Sequence, residues 1–150
     1  MPCAKSAWIS WADSPTSANS SCVCSDSAGA GRPDAIVKLS KMVPELQVEA
    51  LGDTPDQIVA EAERILSLGL ERPPVFKVPI SNDGVKACQR LRARGYKVNV
   101  HLIYTLNQAY MALEAGASFV CPLAGRMQDQ GHDAIQLYEQ CVEVIDRYGY

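Results

Sequence analysis

Apolar and polar residues alternate in Leu46-Gln-Val-Glu-Ala-Leu51, the period-two pattern of a strand with one face buried. Thr54-Pro-Asp-Gln57 follows it, a capping box with proline at the first helical position. Ile58, Ala62, Ile65 and Leu66 then recur at helical spacing, and Gly69 ends the segment. The succession repeats. Residues 75–80 read as a second strand, and Val85, Cys88 and Leu91 mark a helix closed by Gly95. Residues 98–104 predict a third strand; Thr105 and Gln108 form another capping box, Ala109 and Leu113 a helix face, and Gly116 its end. Residues 119–123 predict a fourth strand, and Ile135, Tyr138, Cys141, Val142 and Ile145 outline a last helix. One more helix is expected ahead of these, over 33–42.

The four strand starts, at 46, 75, 98 and 119, are separated by 29, 23 and 21 residues. That is the spacing of parallel βα units, so the fold class is α/β. A doubly wound sheet and part of an eight-stranded barrel both fit. A complete barrel needs about 250 residues, so a chain of 150 holds only part of one.

Composition changes along the chain. Residues 1–31 carry 8 of the 12 serines, 3 of the 6 cysteines and 3 of the 31 charged residues, with Ile9 and Val23 their only large aliphatic side chains. Such a stretch cannot supply a core, and it is expected to be a disordered or non-native segment ahead of a βα body at 32–150. The net charge of −3 argues against nucleic acid as a partner, because phosphate binding needs a basic surface. The longest uncharged apolar-rich run, 98–113, contains Asn99, His101, Asn107 and Gln108, so no membrane span is expected. The first residues have no apolar signal core. Cys3, Cys22, Cys24, Cys88, Cys121 and Cys141 lack zinc-finger spacing, and reduced thiols in a cytoplasm are the expectation.

The informative anomaly is polarity inside the strands. Strands covered by helices in a parallel sheet read as nearly continuous apolar runs. Here Gln47 and Glu49 share one face of their strand, opposite Leu46, Val48 and Ala50. Lys77 shares a face with Val75 and Pro79, and Asn99 shares one with His101, opposite Val98, Val100 and Leu102. Cys121 lies between Phe119 and Leu123. If these faces point into one barrel, Glu49, Lys77, Asn99, His101 and Cys121 converge.

Desolvation favours the neutral amine of a lysine, and a neutral amine attacks a carbonyl to form a Schiff base. A carboxylate beside it, such as Glu49, can move the protons directly or through a water. The plain alternative is a structural Lys77–Glu49 ion pair. His101 taken alone reads as a satisfied core histidine, and Cys121 as a small core residue. Arg126, just past the fourth strand, stands where barrel sites are built and suits a phosphate, or else is a solvated loop arginine. No Walker loop or G-x-G-x-x-G follows any strand.

At these residues the sequence resembles the transaldolase family, which includes the small transaldolases and fructose-6-phosphate aldolases. Val75-Phe-Lys77-Val-Pro79 is similar to the family's V-x-K-[IVL]-P strand. Asn99-Val-His-Leu-Ile-Tyr-Thr105-Leu-Asn-Gln108-Ala109 is similar to its N-[VL]-T-L-[LIV]-[FY]-S-x-x-Q-A segment. Ala115-Gly-Ala-Ser-Phe-Val-Cys-Pro-Leu-Ala-Gly-Arg126-Met-Gln-Asp129 is similar to A-G-A-x-[YF]-[IV]-S-P-F-V-G-R-[IL]-x-D. The resemblance covers about 46–150 and implies an eight-stranded (β/α) barrel, a TIM barrel, of which these would be strands three to six. It implies Schiff-base aldol transfer or cleavage on ketose phosphates such as fructose 6-phosphate, in the pentose phosphate pathway, without metal or cofactor. Lys77 matches the Schiff-base lysine and Glu49 the acid that activates the catalytic water. Asn99 matches the asparagine near the Schiff base, and Arg126 the arginine that holds the phosphate. Glutamine at position 49 would mark a fructose-6-phosphate aldolase, so Glu49 favours the transaldolase branch.

The departures carry expectations of their own. His101 replaces a threonine that helps hold the catalytic water, Cys121 replaces a serine at the substrate side, and Leu123 replaces an aromatic residue. The first-strand aspartate has only Asp13 as a counterpart, and the T-T-N-P motif of the second strand is absent. The family continues past Tyr150 into two more strands, one carrying a serine and an arginine for the phosphate. The reading is a family fragment with little or no transaldolase turnover; the alternatives are a non-catalytic remnant that binds sugar phosphate or nothing, and another Schiff-base aldolase. Its outer strands, near 46–51 and 118–123, are expected to be unpaired edges that invite self-association.

Overall fold

The computed structural model describes the backbone of residues 8–9, 20–23 and 32, and residues 33–150 in full. Two short strands, β1 (Trp8–Ile9) and β2 (Ser20–Val23), precede helix α1 (Arg32–Ser40). Then come β3 (Glu45–Glu49), α2 (Pro55–Leu66), β4 (Val75–Pro79), α3 (Asn82–Ala93), β5 (Val98–Ile103), α4 (Leu106–Glu114), β6 (Phe119–Pro122), α5 (Ala124–Asp129) and α6 (Ala134–Tyr148). The four expected βα units are present, each within two residues of its predicted strand bounds. Every described strand pairing is parallel, and the order across the sheet is β1-β6-β5-β4-β3-β2.

The helices start where their caps say. Thr54 and Thr105 each accept from the backbone N–H three residues on, and Gln57 and Gln108 close the capping boxes. Gly95 and Gly116 follow the last turns of α3 and α4 at φ 87° and 84°, where a side chain is strained. Helix residues Ile58, Ala62, Ile65, Ala87, Cys88, Leu91, Ala109, Leu113 and Cys141 gather with Val48, Phe76, Val78, Val98, Val100 and Val120 in one core. The strands thus put one set of alternate residues against the helices and keep the other set for the opposite face.

Three expectations are corrected. The outer strands are not bare edges: β2 pairs with β3 from Ser20↔Glu45 to Val23↔Val48, and β1 pairs with β6. A sheet ladder uses backbone N–H and C=O groups and needs no aliphatic side chains, so composition could not announce it. The rest of 1–31, Asp13 included, lies outside the described residues. Ile135 and Val142 do not join the buried face of α6; they are 45% and 46% exposed, while Ala134, Leu137, Tyr138, Cys141 and Ile145 pack inward. The helix carries more apolar residues than one stripe can bury. Finally, Arg126 follows β6 in a short helix, α5, and not in the loop that the alternative of a solvated loop arginine supposed.

Strand β5 also departs from simple alternation. His101 pairs with Cys121 and Ile103 with Pro122, so Leu102 is an extra residue in a bulge. Leu102 has φ 64° and is 37% exposed, and Ile103 takes the core position expected for it. Valine is ordinarily welcome in a strand. Here a β-branched side chain meets a left-handed backbone, so Leu102→Val is expected to lower stability by about 1 kcal/mol. Urea unfolding checks this; a midpoint equal to or above that of the unaltered protein contradicts it.

Candidate functional site

The face of the sheet away from the helix core holds the strand polar residues. Register lines them up. Glu49 pairs with Lys77, Lys77 with Asn99, and Asn99 with Phe119, which makes one row across β3, β4, β5 and β6. The next row is Pro79, His101 and Cys121. Lys77 stands at the middle of β4, half-buried. The period-two pattern reached this arrangement because successive side chains must alternate faces and parallel neighbours stay in step.

Two contacts cross over β4 and flank the lysine. Strands β3 and β5 are not neighbours, and about 9.5 Å separates them, so only long side chains can meet. Nδ2 of Asn99 donates to Oε1 of Gln47 at 2.8 Å, buried. On the other side of Lys77, Nε2 of His101 lies 3.2 Å from Oε1 of Glu49. That second approach is electrostatic, since Nε2 has no hydrogen bond at a usual angle among the described residues.

Burial sharpens the polarity of the site. Asn99 is 1% exposed and His101 9% exposed. With its amide nitrogen committed to Gln47, Asn99 presents Oδ1 as a buried acceptor that has no partner among the described residues. An orphaned buried acceptor is costly in a fold, and it is satisfied by a donor such as a hydroxyl. Chemically, the two rows supply an amine, a carboxylate, an imidazole and an amide acceptor on one face.

The sequence-predicted residues divide accordingly. Glu49, Lys77, Asn99, His101 and Cys121 share the face, and Cys121 is buried beside His101 in the register. Arg126 is exposed in the short helix α5, beyond the C-terminal end of β6. Gln47 was not singled out as a site residue, although its period-two relation to Glu49 was the available signal. Cys88 and Cys141 lie on the helix side, and burial pushes their thiols up to about 12 and about 11, so neither is a nucleophile near neutral pH. No helix among the described residues is long and apolar enough to cross a membrane.

Parallel βα units carrying a row of ionisable residues inside the sheet make this an α/β protein of the (β/α) barrel class. Residues 34–150 match the model of the transaldolase/fructose-6-phosphate aldolase family, and the chain belongs to that family. It is 36% identical over 118 residues to a probable transaldolase of Desulfotalea psychrophila, which covers 78% of this chain and 54% of that protein. A probable transaldolase 2 of Bacillus cereus is 34% identical over 119 residues, 75% of this chain and 54% of the relative. A probable transaldolase of Streptococcus pyogenes is 39% identical over 105 residues, 70% of this chain and 48% of the relative. The chain thus spans about half the length of the relatives it matches, and its fold is a partial barrel of that family.

Proposed function

We propose that this protein binds ketose phosphates and joins them to Lys77 as a Schiff base, in aldol transfer or cleavage of the transaldolase kind. The observation that carries the reading is the register row Glu49–Lys77–Asn99, with the lysine half-buried between two bridging contacts. The amine of Lys77 attacks the ketose carbonyl. Glu49 assists the proton transfers as the carbinolamine loses water and as the iminium is hydrolysed. Asn99 accepts a hydrogen bond from a donor hydroxyl through its unpartnered Oδ1, and Cys121 lines the site. Arg126, on a helix beyond the strand ends, holds the phosphate through its bidentate fork. The names of the relatives support this reading, which would place the protein in cytoplasmic carbohydrate metabolism, the pentose phosphate pathway included. None of these steps calls on a metal or cofactor.

Trapping tests it. Borohydride added with fructose 6-phosphate is expected to leave a reduced covalent adduct, located on the peptide that contains Lys77. An adduct absent at saturating sugar, or spread over surface lysines, overturns the assignment.

A further inference from the structure

The resemblance implies a catalytic water held between the carboxylate at position 49 and a threonine at the position of His101. The geometry here is different. A water bridging two polar atoms makes two hydrogen bonds of about 2.8 Å each, which holds those atoms roughly 4.5–5.5 Å apart. Nε2 of His101 and Oε1 of Glu49 are 3.2 Å apart, so no water lies between them. The imidazole occupies that space.

We infer that His101 is the proton carrier of this site, a catalytic residue that takes the part of a bridging water, with Glu49 as its counter-charge. This rests on the Schiff-base reading of Lys77. Three observations converge on it. First, His101 lies on the Lys77 side of the sheet, in register with Pro79 two residues beyond the lysine. Second, its Nε2 is buried and makes no hydrogen bond at a usual angle among the described residues. The Glu49 carboxylate lies 3.2 Å from it, yet off the line that would capture a proton on Nε2. Third, the backbone of His101 is fixed: its strand pairs on both sides, with Pro79 and with Cys121. A positioned imidazole is the side chain best suited to accept and return a proton.

The step balances. When the carbinolamine on Lys77 dehydrates, Nε2 of the imidazolium gives its proton to the leaving hydroxyl. The C–O bond breaks, water departs, and the lysine nitrogen's lone pair completes the C=N bond. In hydrolysis a water oxygen attacks the iminium carbon, its proton passes to Nε2, and the C=N electron pair returns to nitrogen.

The test uses the full chain, dihydroxyacetone as the probe and excess cyanoborohydride, so that the rate of adduct formation on Lys77 reports iminium formation. His101→Ala is expected to slow that rate on the order of 10²-fold. Added imidazole is expected to restore it in proportion to concentration while leaving the unaltered protein unchanged. His101→Gln keeps a polar group at the position without a transferable proton, and is expected to be as slow as His101→Ala. Its far-ultraviolet circular dichroism should match that of the unaltered protein. Rates for both variants within about twofold of the unaltered protein overturn the inference, as does a slow His101→Ala that ignores imidazole. An unaltered protein that gives no Lys77 adduct at all overturns the Schiff-base reading, and this inference with it. An adduct present but indifferent to His101 overturns this inference alone.

Discussion

Lys77→Arg is expected to abolish the reduced ketose adduct while leaving the protein folded. A guanidinium keeps the positive charge but stays protonated throughout the working range and does not add to carbonyls. Because the charge remains, Glu49 keeps a cation beside it in the register row, and the penalty of an uncompensated half-buried carboxylate is avoided. The loss therefore reads on nucleophilicity and not on packing. The other lysines among the described residues, Lys38, Lys41, Lys86 and Lys97, are exposed, and Lys97 pairs with Glu45 at 2.7 Å. Adduct in the variant should fall to the level of these surface amines. Intact mass and peptide mapping after borohydride check it, and a Lys77→Arg protein still modified as fast by fructose 6-phosphate contradicts the assignment.

Gly84→Ala carries the largest expected effect on stability. By propensity alone the change should help, because glycine inside a helix is less favourable than alanine by roughly 0.5–1 kcal/mol. Its surroundings reverse the sign. Gly84 sits in the first turn of α3, where its N–H donates to the Oγ of the capping Ser81 at 3.0 Å. A Cβ there would fall 1.9 Å from the carbonyl oxygen of Pro79 and 3.0 Å from its carbon. Both neighbours are backbone, so nothing yields without moving the start of the helix or the end of β4. A loss of about 3 kcal/mol is expected, at the upper end for overpacking. Pro79 lies two residues beyond Lys77 and pairs with His101, so the displacement should also reach the site. Urea unfolding measures it, and a midpoint equal to or above that of the unaltered protein contradicts the expectation.

The effects of Gly84 and Leu102 share an origin. In each case a residue that local rules would treat as ordinary is governed by a neighbour distant in structure type: a strand carbonyl against a helix turn, and a bulge inside a strand. Neither contact leaves a trace in hydrophobic periodicity.

Much of the arrangement was nonetheless legible in the chain. Period-two alternation at Gln47 and Glu49, at Lys77 and at Asn99 and His101 determined which side chains share a face, because a strand has no other way to place them. Capping boxes at Thr54 and Thr105 determined where α2 and α4 begin, because their hydrogen bonds close within four residues. The repeat of strand and helix determined parallel order. These are all short-range consequences of backbone geometry. Tertiary structure alone decided the rest. It brought Gln47 to Asn99 and Glu49 to His101 across an intervening strand, contacts separated by 52 residues in each case. It turned Ile135 and Val142 outward, because burial depends on what packs against a helix and not on the helix itself. It also paired the serine-rich β2 with β3, because backbone groups alone make a ladder.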